Sequence, residues 1–207
     1  LRGCGGRKRG GVVVEVGGLD GLTYSNSYIF SRLLGWHAVL IEGSPSDFEV
    51  MLSHRPEASM VNAILCDKPR DLHWIQEWPP EVAGIYEFMS STRVHNLFPK
   101  FARFLERDPV AAVASLPLIP CTTFTMILET LGITHVDFWS LDVEGAEEQV
   151  LNAWDPKRVA VDVICVEGPK AIPVLTGLGY NCSRTAKFDQ ATHTYTYIPR
   201  WQVMPKG

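Results

Sequence analysis

The stretch VVVEVGGLDGLTYSNSYIFSRLLGWHAVLIEG, residues 12–43, decides the fold. It opens on a β-branched run, Val12 to Val16, that ends in glycines: a buried strand running into a tight turn. Thr23 to Leu34 then carries helical spacing, with Tyr28, Ile29 and Leu33 apolar, and Gly35 closes it. His37 to Ile41 is a second short apolar strand. Further out, Pro45 to Ser53 reads as a second helix and Ser59 to Cys66 as a third strand. Strand, helix, strand, helix, strand is the pattern of a parallel sheet with crossover helices.

The remainder extends this pattern less evenly. Val82 to Met89 reads as a strand, while residues 90–110 mix aromatics and bases without a clear period. Thr122 to Leu131 is helical, capped by Thr122 or Thr123. Val136 to Leu141 and Val159 to Val166 are apolar strands; Gly145 to Ala153 and Ile172 to Leu178 are the helices that follow them. THTYTYI, residues 192–198, alternates with period two and suits an antiparallel edge strand. Residues 1–11 form a basic, glycine-rich and flexible lead-in, with a phosphate-binding arm as the sharper alternative. Residues 12–207 then make a single domain, and 70–110 is its variable, acceptor-selecting region.

Bulk properties bound the function. Of 207 residues, 46% are hydrophobic and 20% charged, enough to bury a core. A formal net charge of -4 argues against a nucleic-acid platform. No apolar run approaches the ~20 residues that a membrane span needs. The chain begins at Leu1, which is compatible with a processed or excised form, so compartment stays open. Five cysteines without a C-x-x-C point away from a disulfide framework or a zinc site. Cys66 and Cys165, in apolar runs, are expected as buried inert thiols, leaving room for one bridge among the others.

Four segments carry chemistry. In V-E-V-G-G-L-D-G, residues 14–21, a strand bearing Glu15 runs into Gly17, Gly18, Asp20 and Gly21. Glycines there let a ligand approach the backbone, and a following helix offers free N–H groups. The spacing is not G-x-G-x-x-G, which disfavours a dinucleotide pyrophosphate. In L-I-E-G-S-P, Glu42 ends the second strand about 20 residues after the glycine loop, where an acid accepts from vicinal hydroxyls. Asp67 follows the third strand. In S-L-D-V-E-G-A-E-E, residues 140–148, Asp142 and Glu144 stand at a strand end where clustered acids carry a desolvation cost. Glu147 and Glu148 there also suit a helix first turn.

Together these segments resemble the FkbM-type methyltransferase family, and most closely its eukaryotic-type subgroup. The likeness rests on Val14 to Gly21, Ser25-Asn26-Ser27, Gly35-Trp36, Leu40 to Pro45 and Ser140 to Glu147. Arg55-Pro56, Pro120-Cys121-Thr122 and Val136 to Trp139 add to it, over residues 12 to about 180. Leu19 stands where a polar residue is common, and Gly43 where a proline is usual. The resemblance implies a Rossmann-like α/β fold of class I methyltransferase type. Its centre would be a mostly parallel seven-stranded sheet with helices on both faces and an antiparallel C-terminal edge strand. It implies S-adenosyl-L-methionine as cofactor and O-methylation of a hydroxyl on a small molecule or glycan. Glu15, Gly17, Gly18, Asp20 and Gly21 would cradle the methionine part, Glu42 the ribose and Asp67 the adenine. Asp142 would sit near the sulfonium and the acceptor.

An alcohol nucleophile gains from partial proton removal. Asp142, Glu144, His95 and His193 are the candidate bases; Asp142 is best placed by topology, and His95 falls in the acceptor region. No resident metal is expected, although a metal-assisted version would use Asp142 and Glu144. The rivals are a catalytically silent subunit of a larger complex and a nicotinamide-dependent oxidoreductase on the same fold.

Overall fold

The computed structural model describes residues 9–77, 83–143, 145–167, 170–184 and 200–205. The β-branched run becomes β1 (Val12–Val16), buried at four of its five positions. It is followed by α1 (Tyr28–Leu34), β2 (His37–Glu42), α2 (Pro45–His54) and β3 (Ser59–Asn62). Ser44 caps α2 by accepting from Asp47 N, with Pro45 in the first helical turn. Helix α1 starts at Tyr28, five residues after Thr23, the first of the expected helical positions. Glu15 claims the N–H groups of Asn26 and Ser27 and holds that segment out of the helix. Gly35, with φ 64°, ends α1 as expected.

After β3 the chain leaves the main sheet. The expected strand over 59–66 breaks at Ala63, and Ile64–Leu65 (β4) pairs elsewhere. A small four-stranded sheet forms from β4, β5 (Arg70–Ile75), β6 (Gly84–Ile85) and β7 (Leu118–Thr122), in the order β4-β7-β5-β6. The expected strand over 82–89 is confined to β6, and a 3-10 turn takes Tyr86–Phe88. Between β6 and β7, the region without a period holds three short helices: α3 (Ser91–Leu97), α4 (Pro99–Arg107) and α5 (Pro109–Ala114). Their punctuation is local. Ser90 and Asp108 accept from Arg93 N and Ala111 N, and Pro99 and Pro109 open α4 and α5. Helices of two turns are too short to show a repeat in the sequence.

The chain then returns through α6 (Phe124–Thr130), β8 (His135–Leu141), α7 (Glu147–Asn152), β9 (Ala160–Glu167), α8 (Ala171–Gly177), β10 (Tyr180–Arg184) and β11 (Arg200–Pro205). Thr123 is the residue that caps α6. The main sheet runs β3-β2-β1-β8-β9-β11-β10. Its first five strands are parallel, and β11 is antiparallel to both neighbours. The seven strands and the Rossmann-like class are as the sequence implies. The last strand is not at the edge: β11 is inserted between β9 and β10, and the edges are β3 and β10. The stretch 192–198, expected as that edge strand, lies outside the described residues, as do residues 1–8 of the lead-in.

Trp139 of β8 anchors the core. It is fully buried, stacked on Phe124 at 3.7 Å and met edge-on by Trp154. Among the described residues no helix is long and apolar enough to cross a membrane. Strand order reverses between β1 and β8, and such a switch point opens a crevice at the carboxyl ends of the strands.

Candidate active site

Two buried charges hold the loop that follows β1. Glu15 is 2% exposed, and its carboxylate accepts from Ser25 Oγ (2.8 Å), Ser27 Oγ (2.6 Å), Asn26 N (2.5 Å) and Ser27 N (3.3 Å). Arg55, at the end of α2, is 0% exposed and donates to Gly21 O (2.8 Å), Ser25 Oγ (3.2 Å) and Ser31 Oγ (2.9 Å). Ser25 and Ser27 thus connect an anion and a cation that make no direct bond. Crowding fixes two of the glycines. A Cβ on Gly17 would lie 2.0 Å from Asp142 O, and one on Gly21 2.8 Å from Arg55 Cγ; both residues have φ +79°. Asp20 caps the turn by accepting from Leu22 N (2.9 Å) and Thr23 N (2.7 Å). Burial pushes its carboxyl up, but these N–H groups, the Thr23 hydroxyl and His54 outweigh that and hold it below its ordinary value.

Beyond the loop, at the carboxyl ends of β1, β2 and β8, lies a cavity of about 240 Å³. Among the described residues its lining includes three carboxylates, Glu42, Asp47 and Asp142, together with Asn26 and Thr23, and no lysine, arginine or histidine. Glu42 is 5% exposed; Leu19 N donates to its Oε2 (2.8 Å) and Ser44 N to its Oε1 (2.7 Å). Burial raises its pKa to about 7 in spite of those hydrogen bonds. Asp142 follows β8 directly, with its N–H donating to Val16 O at 3.1 Å. Leu19 (φ 48°) and Tyr24 (φ 57°) are the non-glycine residues with positive φ among the described residues, and both line the cavity. Strain of that kind persists where the surroundings over-determine it.

The opposite wall is apolar: Ile41, Ala63, Ile64, Leu65, Trp74 and Ile85. It belongs largely to the small sheet, where Cys66 and Cys121 form a disulfide with Cα atoms 5.9 Å apart. This corrects the expectation that Cys66 is an inert thiol. The apolar surroundings that suggested a lone buried cysteine come from β4 and β7, which lie side by side and bring the two sulfurs together. Cys165 is partly buried.

A family model described as the methyltransferase FkbM domain matches residues 15–172. The chain belongs to the FkbM methyltransferase domain family. A comparison with curated proteins finds no match. Among solved structures, the chain is similar to the methyltransferase FkbM from Methylobacillus flagellatus KT, with a TM-score of 0.53 at 10% identity. That match covers 94% of this chain and 43% of the other, so the chain spans less than half of that protein. An O-methyltransferase from Bacillus cereus, in complex with SAH, matches with a TM-score of 0.49 at 10% identity, over 94% of this chain and 74% of that one. Aeropyrum pernix fibrillarin, with natively bound S-adenosyl-L-methionine, gives 0.49 at 11% identity over 95% and 67%.

Within this FkbM domain the residues singled out in the sequence fall into three groups. Gly17, Glu42 and Asp142 line the cavity. Glu15, Gly18, Asp20 and Gly21 are not in its lining; they hold the loop from behind, and Gly18 N donates to Ile41 O. Asp67 and His95 are elsewhere. Asp67 is half exposed and paired with Arg70, because the strand break at Ala63 carries it past the rim; the third strand's contribution there is Ala63 to Leu65. His95 sits on the surface of α3, with Nδ1 2.8 Å from Ser91 O and Nε2 3.2 Å from Glu106 Oε1. Those two contacts raise its pKa. Glu147 is buried and accepts from Val143 N and Gly145 N, both at 3.1 Å, the first-turn role open to it in the sequence. Glu144 and His193 lie outside the described residues.

Sequence reasoning missed Tyr24 and Asp47 in the lining, and it assigned Trp74 to the acceptor region and Leu19 to a departure in the glycine loop. Only Asp47 left a usable sign, as an acid in the first turn of a helix that opens at the strand end. Among the described residues Asp142 belongs to no cluster able to hold a metal. The His135, Asp137 and Asp162 group, with ligand atoms within 4.8 Å of one another, lies near the starts of β8 and β9, away from the cavity.

Proposed function

We propose that this FkbM domain transfers a methyl group from S-adenosyl-L-methionine to a hydroxyl of a sugar or other small molecule. The observation that carries the reading is the acidity of the cavity: among the described residues its lining holds three carboxylates and no basic side chain, at the switch point of the sheet. Such a lining favours a ligand with positive charge and opposes a pyrophosphate, which argues against the nicotinamide alternative. The donor and acceptor set suits the cofactor. Glu42 lines the cavity with a carboxylate whose two oxygens suit a vicinal diol, and Gly17 lies beside it in the lining.

In this reading Glu42 binds the ribose, and Asn26 and Asp142 face the methionine part. Bound there, the cofactor supplies an electrophilic methyl on a sulfonium. Asp142 orients the acceptor hydroxyl and takes its proton. Glu15 and Arg55 keep the loop from Gly21 to Ser27 in register, and positioning of this kind contributes several kcal/mol to such a reaction.

Calorimetric titration of the full chain with S-adenosylmethionine and S-adenosylhomocysteine, followed by a labelled-methyl transfer assay on cell extract, tests the proposal. Saturable heat with one site per chain and label in a hydroxyl-bearing product are expected. Absence of both binding and transfer overturns it.

A further inference from the structure

We infer that Trp74 is the surface on which the nucleobase of the cofactor stacks, and that Gly43 is what allows it to stand there. The inference rests on the proposed function and assigns a residue that the sequence places in the acceptor region to the cofactor instead.

Trp74 comes from β5 of the small sheet but lies across the end of β2 in the main sheet. A Cβ on Gly43 would fall 2.7 Å from its Cζ3 and 3.1 Å from its Cη2, so the six-membered edge of the indole packs on the Gly43 backbone. Any other residue at 43 would push the ring away. From behind, the indole N–H donates to Gln76 Oε1 at 3.4 Å. Gln76 is itself held at both ends of its amide: Ser44 Oγ donates to Oε1 (3.1 Å), and Nε2 donates to Asp47 Oδ2 (3.3 Å). The ring is therefore fixed by contacts that leave it in the cavity wall beside Ile64, Leu65 and Ile85.

Connectivity of the ligand places the base. In a nucleoside the carbon bearing the base adjoins the diol. With the diol on Glu42, the heterocycle lies one sugar ring away, beside residue 43. Apart from Trp74, the aromatic side chain in the lining among the described residues is Tyr24, which belongs to the β1 loop and is 64% exposed. Offset stacking on an indole needs only a flat π-surface and works for any purine. Trp74 thus sets how strongly the heterocycle is held, and Gln76 acts through it as a positioning residue.

The full chain is titrated with S-adenosylhomocysteine by calorimetry and, in parallel, by intrinsic tryptophan fluorescence. Wild type is expected to show heat and quenching together. Trp74→Phe is expected to keep affinity within about threefold while losing most of the quench. Trp74→Leu should weaken binding about tenfold. If wild type binds and Trp74→Phe is quenched as strongly as wild type, Trp74 does not face the base and the inference falls while the proposed function stands. Trp74→Leu binding as tightly as wild type has the same consequence. If wild type itself gives neither heat nor quenching, both fall. The fluorescence result decides the matter even if Trp74→Leu does not fold.

Discussion

The two walls of the cavity are built by different means. The polar wall, from β1, β2 and the loop between them, keeps its shape through hydrogen bonds around buried charge. Glu15 takes four, and Glu42 next door takes two. The apolar wall, from β4 to β6, has little sheet of its own, with β4 and β6 two residues long. It is held by packing and by the Cys66–Cys121 bridge. The contrast separates an acid saturated by its own loop from one that lines the cavity. Glu15 and Glu42 are about equally buried, yet only Glu42 lines the cavity with acceptor capacity to spare. Burial alone does not make a carboxylate functional; what counts is whether its hydrogen bonds are already used.

Four experiments test how far this division holds, beginning with the largest effect. Asp142→Asn should lower turnover about 10²- to 10⁴-fold while S-adenosylhomocysteine still binds; transfer at the wild-type rate would remove Asp142 from the chemistry. Next is the bridge, which closes a loop of 55 residues. The Cys66→Ala/Cys121→Ala variant should lose about 3 kcal/mol in denaturant unfolding. An unchanged midpoint would mean that packing alone holds the apolar wall.

A smaller effect is expected from the titration of Glu42, whose pKa rises from 4.5 to about 7 on burial. Protonation favours the folded state here. The stability that Glu42 contributes is therefore complete below pH 4.5 and is lost as pH rises through 7. Relative to Glu42→Gln, wild type should lose stability across that window. Ligand affinity should run the other way, because the ionised carboxylate accepts from both hydroxyls. Affinity for S-adenosylhomocysteine should rise about tenfold between pH 6 and 8 in wild type and stay nearly flat in Glu42→Gln. A flat wild-type profile would place the diol elsewhere. Smallest of all, His95→Ala should leave both transfer and binding within twofold, since its ring is spent on Ser91 and Glu106 at the surface. A large loss would bring α3 into the active site.

The polar wall was legible because its chemistry needs particular residue types at particular spacings. An acid before glycines, an acid ending the next strand and an acid after β8 all stand in the linear text. What the text concealed was direction. Glu15 and Asp20 read as cofactor-cradling residues, and the structure shows their carboxylates bonded to their own loop, at Ser25, Asn26, Ser27 and Thr23. Asp67 read as a rim acid until the chain turned at Ala63. The apolar wall had no comparable mark, because apolar residues look alike whether they face a core or a cavity.

The chain by itself determined the parallel sheet, the place of its first glycine turn and the membership of Glu42 and Asp142 in one rim. Those follow from periodicity and from the period of the strand–helix unit, both local properties. Tertiary structure alone decided that β11 enters the sheet between β9 and β10, that Cys66 meets Cys121, and that Trp74 leans over Gly43. Each of these joins residues far apart in sequence. Such contacts depend on how layers pack, and no spacing within a segment records them.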